Sequence, residues 1–146
     1  MGMNFKRGHR IFIDTAPLIY WFEDNASYVM KMTRFFNEVT EKQIVLVTSM
    51  VTYIELLTLP EKKGAHELVA KYQEYLLNSD QITIHPLNVS VANAAVRLRA
   101  TAALKTPDAI QMATAQVSGC DYIVSNDNKW GNITGVCVVL VSSLPE

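Results

Sequence analysis

Four acidic side chains, Asp14, Glu55, Asp108 and Asp127, stand in separate segments that read RIFID, TSMVTYIELL, LKTPDAIQMATA and IVSNDNKW. Asp14 ends a short apolar run. Glu55 lies in the helical pattern that follows a second such run, and Asp127 lies in the polar loop after a fourth. In open parallel sheets, ligands bind outside the carboxyl ends of the strands. Chain direction alone therefore sends Asp14, Glu55 and Asp127 to one edge. Asp108 sits in the first turn of a helix and does not follow a strand directly, so its arrival there is a weaker inference.

Each acid also has a local role open to it. Asp14 can cap the helix after it, and Glu55 can close a capping box with Thr52. Asp108 is favourable against a helix dipole, and Asp127 suits an Asx turn. Convergence is what local roles do not explain. Two unit charges ~4 Å apart repel by roughly 4 kcal/mol at an effective dielectric of 20. A hard divalent cation offsets that repulsion, and Mg²⁺ or Mn²⁺ prefers carboxylate and water oxygens. His9, His66 and His85 are scattered without ligand spacing, which disfavours zinc. Carboxylate-held Mg²⁺ or Mn²⁺ suits phosphoryl chemistry. No P-loop pattern is present, so nucleoside triphosphate hydrolysis is not indicated.

The elements that must position these acids follow from periodicity. Strands are expected at Arg10–Asp14, Gln43–Val47, Gln81–His85, Asp121–Ser125 and Val136–Val141. Several are apolar without alternation, as strands covered on both faces are. Helical stripes recur at Met32/Phe35/Phe36/Val39, Met50/Tyr53/Ile54/Leu57, Ala65/Leu68/Val69/Tyr72 and Val91/Ala94/Ala95/Leu98. Pro17 opens a short helix after Asp14, the Ser27 region caps the Met32 helix, and Gly64 separates two helices. Thr106 is read as the N-cap of the Asp108 helix, with Pro107 at its first position. The aromatic run Tyr20-Trp21-Phe22 reads first as packing rather than as a stacking platform for bases. Strands alternating with helices make an α/β domain around a mostly parallel sheet.

The 146 residues, 49% hydrophobic and 18% charged, fit one globular domain over 1–146. Thirteen Lys and Arg against fourteen Asp and Glu leave a net charge of −1, so any nucleic-acid contact rests on local positive charge. Cys120 and Cys137 form no metal-type pair and read as buried small hydrophobes. Neither a secretory signal nor an apolar stretch of membrane-spanning length is visible, so a cytoplasmic protein is expected.

Together the segments FIDTAPLIYWFE, TSMVTYIELLTLP, LKTPDAIQMATA and IVSNDNKW resemble, in order and spacing, the motifs of PIN domains, especially the VapC-like toxins of toxin–antitoxin pairs. The resemblance spans Arg10 to about Leu140. It implies a three-layer α/β/α sandwich with about five strands and a Mg²⁺- or Mn²⁺-dependent endoribonuclease. It also implies that Asp14, Glu55, Asp108 and Asp127 are the catalytic acids, with Asp14, Asp108 and Asp127 on the metal and Glu55 assisting. Thr15, Ser125 and Asn126 match supporting positions that orient carboxylates or phosphate. Many relatives carry a further acid just after the last Asp; here Asn128, Lys129 and Trp130 stand there, which bears on a second metal.

RNA then needs a cationic surface, and Arg97 and Arg99 are the expected contacts, since their helix leads into the Asp108 motif. Lys105 also precedes that motif. The same resemblance implies a small antitoxin partner and a homodimer, with the faces around Tyr20-Trp21-Phe22 and Phe35-Phe36 as contacts. A PIN-fold binding scaffold without nuclease activity is the alternative. A phosphatase with Asp14 as nucleophile is a weaker rival, because Ala16 occupies the place of its usual second Asp.

Overall fold

The computed structural model describes residues 4–131 and 133–146. Five strands form one parallel sheet: β1 (Arg10–Ile13), β2 (Val45–Ser49), β3 (Ile82–His85), β4 (Tyr122–Ser125) and β5 (Cys137–Leu140). Their spatial order is β3-β2-β1-β4-β5. Among the described residues six α-helices accompany them: α1 (Thr15–Phe22), α2 (Val29–Glu41), α3 (Met50–Lys62), α4 (His66–Asn78), α5 (Val89–Thr101) and α6 (Thr106–Val117).

The period-2 alternation of a strand splits the core into two layers. Ile11, Ile13, Leu46 and Val124 face one way, against Leu18 of α1, Met32 and Phe36 of α2 and Tyr72 of α4. Phe12, Val47 and Ile123 face the other way, against Val91 and Leu98 of α5 and Met112 of α6. The expected three-layer sandwich is therefore observed, and both sheet faces are covered.

Several local expectations shift for identifiable reasons. β2 begins two residues late because Gln43 takes a positive φ of 50° and ends α2 in a Schellman-type turn, with Ile44 N–H donating to Val39 O at 3.0 Å. α6 starts at Thr106 itself, so Lys105 and not Thr106 is the N-cap. Ser27 does not cap α2. Asn25 shapes that entry instead, its Oδ1 accepting from Ser27 N–H at 2.9 Å and Tyr28 N–H at 3.1 Å. On α3 the buried positions are Thr52, Leu56 and Pro60, whereas Ile54 is 61% exposed and Met50 lies at the surface. The helix is rotated so that Thr52, not the Met50/Ile54 stripe, turns inward.

The aromatic run packs as expected. Trp21 stacks on Phe36 with centroids 3.8 Å apart, and Phe22 tilts against Tyr72. Phe35 and Phe36 are buried in this cluster and are not free to meet a partner. Cys120 is buried, but Cys137 is exposed, because it opens the edge strand β5. Among the described residues, no helix is long and apolar enough to cross a membrane.

The entry to α2 generates a stability prediction. Asn25→Ala removes the side-chain acceptor and is expected to cost about 1 kcal/mol, while Ser27→Ala is nearly neutral. Urea denaturation of both variants checks this; a larger loss for Ser27→Ala contradicts the assignment.

Candidate active site

In the order β3-β2-β1-β4-β5, chain connections leave β1 in one direction and later return to its other side, so the switch point lies between β1 and β4. Asp14 follows the last residue of β1, and its backbone N–H donates to Val124 O of β4 at 3.0 Å. The acid is thus carried by the sheet ladder to the centre of the carboxyl edge. As the N-cap of α1 it accepts from Thr15 N–H at 2.8 Å, so the capping role and the site role coexist.

Three donors surround the Asp14 carboxylate. Besides Thr15 N–H, Gln111 Nε2 donates to Oδ1 at 3.1 Å and Ser125 Oγ donates to Oδ2 at 2.8 Å. Gln111 is buried on α6 and is itself held: Nε2 also donates to Thr52 Oγ1 at 2.8 Å, and Ser49 Oγ donates to its Oε1. Ser49 in turn caps α3, accepting from Val51 and Thr52 N–H. Thr15 Oγ1 donates to Glu55 Oε1 at 2.7 Å, which ties the exposed Glu55 to the same network. Thr52 lies inside α3 and the cap is Ser49, so the Thr52–Glu55 capping box does not form.

The fourth acid is placed by β4. Ser125 Oγ, while donating to Asp14, accepts from Asp127 N–H at 3.0 Å. Asp127 Oδ1 then accepts from Lys129 N–H at 2.9 Å, the expected Asx turn. Asn126 turns away from the acids: its Nδ2 donates to Tyr20 Oη at 3.3 Å, and its Oδ1 accepts from Ser142 N–H. Tyr20 stacks on Tyr28 and joins the cleft wall.

Asp14, Thr15, Glu55, Asp108, Asn126 and Asp127 line one open cleft of about 620 Å³. The structure therefore brings together all four acids singled out by the sequence, including Asp108, whose arrival chain direction alone left open. Arg97 and Arg99 do not line it. Both are exposed on α5, and Arg99 lies along an apolar groove with Val96 and Ile110. The cations near the acids are Lys105 and Lys129, which line an adjoining hollow together with Asp108 and Asp127.

The electrostatics match a crowded anionic site. Burial pushes the Asp14 carboxyl up to about 6; its bonds from Ser125, Thr15 and Gln111 oppose the rise, and the Glu55 carboxylate adds to it. The Asp108 carboxyl is also raised, first by burial and then by Asp127 and Glu55, while Lys105 and Lys129 pull it back. Among the described residues, no three His, Cys, Asp or Glu side chains converge closely enough to enclose an ion by themselves. A Mg²⁺ site keeps several waters and takes one or two carboxylates, so any ion here would be held partly through water. The all-oxygen donor set also suits Mg²⁺ or Mn²⁺ over zinc.

A carboxyl whose folded pKa exceeds its unfolded value binds more protons when folded, so its contribution to stability is lost as pH rises through the folded pKa. For Asp14 the shift from 3.8 to about 6 amounts to on the order of 3 kcal/mol against the fold above pH 6. The Asp14→Asn variant should therefore gain stability relative to the parent between pH 5 and pH 7.5 in metal-free buffer. Denaturant titration at both pH values measures the difference, and parallel pH profiles contradict it.

A PIN domain family model matches residues 11–136. No curated protein sequence matches the chain. Among solved structures, a toxin–antitoxin complex from Klebsiella pneumoniae is similar at 21% identity and TM-score 0.68, covering 90% of this chain and 97% of that one. DNA-bound VapBC from Salmonella typhimurium is similar at 17% identity and TM-score 0.73, with 91% and 98% covered. The Sarcin-Ricin loop cleaving toxin VapC20 of Mycobacterium tuberculosis is similar at 16% identity and TM-score 0.65, with 86% and 93% covered. At these identities the solved structures establish a shared fold, and the family match extends over most of the chain, from the first strand through the last acidic loop: this chain belongs to the PIN domain family.

Proposed function

We propose that this protein is a divalent-cation-dependent endoribonuclease, and that it is the toxin of a toxin–antitoxin pair. The observation that carries the reading is the meeting of Asp14, Glu55, Asp108 and Asp127, from four different elements, in one cleft at the switch point of the sheet. Membership of the PIN domain family supports it. So does the similarity to a toxin described as cleaving the sarcin-ricin loop.

When bound, Mg²⁺ or Mn²⁺ supplies activation of water and neutralisation of charge at the phosphodiester. Asp14, Asp108 and Asp127 are the residues that would hold it, directly or through water, with Glu55 assisting from the cleft wall. Gln111, Ser125 and Thr15 N–H fix the rotamer of Asp14, so the carboxylate is oriented before any ligand arrives. Ser125 serves Asp14 and Asp127 at once, which couples the positions of the two acids. The net reaction adds water across one P–O bond, leaving a phosphate monoester on one fragment and a hydroxyl on the other. No side chain forms a covalent intermediate.

A non-catalytic PIN scaffold is disfavoured by the convergence of four acids on one cleft, since their mutual repulsion serves no purpose in a site without a cation. The partners proposed are an RNA substrate and an antitoxin, the latter because the similar structures include toxin–antitoxin complexes. A homodimer is proposed because symmetric dimers are the commonest oligomers. The proposed setting is the cytoplasm.

Cleavage of a labelled single-stranded RNA panel in Mn²⁺ or Mg²⁺ tests the reading. The parent is expected to cleave and to stop in EDTA. Asp108→Asn is expected to lose more than about 100-fold, since even the outer-shell partners of a metal are worth about 10–100-fold. Gln111→Leu, which takes the amide donor from Asp14, is expected to lose about 10–100-fold while remaining folded. Equal cleavage by the parent and Asp108→Asn would sink the assignment.

A further inference from the structure

The acidic cleft does not end at the carboxylates. Asp108, Asp127 and Trp130 line it on one side and also line a second hollow of about 330 Å³, so the two spaces share a ridge. The second volume falls within the about 300–1,000 Å³ usual for ligand pockets. Its lining differs in charge from the cleft, because Lys105 and Lys129 belong to it alone.

Backbone geometry sets those two lysines. Lys105 is the N-cap residue of α6, three positions before Asp108, and it brings no side-chain cap to the helix. Lys129 follows Asp127 by two positions, and its N–H is tied to Asp127 Oδ1 at 2.9 Å. Both lysines line the hollow together with the two acids of the ridge, and both influence the Asp108 carboxyl. Both lysines are exposed, and neither forms an ion pair among the described residues, where the one salt bridge is Lys42–Glu38. Beneath the ridge, Trp130 is buried, and its indole N–H has no acceptor among the described residues.

The chemistry called for is specific. A chain of net charge −1 that presents four carboxylates repels a polyanion, so a nucleic acid needs cations beside the acids and not on a remote face. We infer that a single RNA strand crosses the Asp108–Asp127 ridge from the acidic cleft into the second hollow, where Lys105 and Lys129 bind a phosphate neighbouring the scissile one. The inference rests on the ribonuclease reading and replaces Arg97 and Arg99 as the main phosphate contacts. The lysines are positioning residues: they hold the strand and do not touch the reacting phosphorus.

The test compares Lys105→Gln/Lys129→Gln with Arg97→Gln/Arg99→Gln, measuring kcat, KM and the salt dependence of kcat/KM on one cleavable RNA in Mn²⁺. Loss of a phosphate contact in single-stranded nucleic acid lowers the log–log salt slope by about 0.7. The lysine pair is expected to raise KM about tenfold, lower the slope by about 0.7 and leave kcat within about threefold. The arginine pair is expected to change the slope less. A parent enzyme that cleaves in an Asp108-dependent way, with an unchanged KM and slope in the lysine variant, overturns this inference alone. A larger slope change from the arginine pair does the same. Absence of Asp108-dependent cleavage in the parent removes the ribonuclease reading and the inference together.

Discussion

The fold is organised around a half-buried carboxylate at the floor of an open cleft. Asp14 sits at the end of the central strand, at the switch point between β1 and β4, and it is reached by three donors from three elements: Thr15 N–H of α1, Gln111 of α6 and Ser125 of β4. Burial raises the energy of the charged form, and the three donors recover only part of it. This is a local instability that the surrounding core must offset. It makes chemical sense where a cation completes the neutralisation.

The network that supports Asp14 also joins the layers of the sandwich. α3 packs on the Tyr72 side of the sheet and α6 on the Phe12 side, yet Gln111 of α6 bonds both Ser49 at the end of β2 and Thr52 of α3. A buried polar chain links the two layers around the carboxyl edge. Buried polar groups tolerate little rearrangement, because each unpaired member costs about 1–3 kcal/mol. The acids of the cleft are therefore set by a framework whose apolar cores lie on either side of it, while their outer faces remain open.

Much of this architecture is legible in the sequence, because strands and helices announce themselves by period. Asp14 at the end of RIFID and Asp127 after YIVS follow from chain direction alone, and both lie where expected. The sequence pattern does not single out Gln111, Ser49 and Thr52 as site residues. A signal is nonetheless present: Gln111 is a long amide among the mostly apolar positions of α6, and a buried amide needs partners. A one-dimensional pattern does not say which partners. The rotation of α3 was illegible for a related reason. Of the apolar stripe Met50/Tyr53/Ile54/Leu57 only Tyr53 and Leu57 pack against the core, whereas Thr52, Leu56 and Pro60 are buried and Thr52 accepts from Gln111. Arg97 and Arg99 look close to the site because they precede Asp108 in the chain, but the turn at 102–105 separates α5 from the cleft wall.

The central claim is that these acids form a cation site built on Asp14, and binding of Mn²⁺ to the folded protein tests it most directly. A ligand that binds only the native state stabilises it by RT ln(1 + [L]/Kd), about 2.7 kcal/mol at a hundredfold excess over Kd. The account predicts that the denaturation free energy of the parent rises with Mn²⁺ concentration, whereas that of Asp14→Asn stays flat. The same response in both proteins, or no response in the parent, would contradict it.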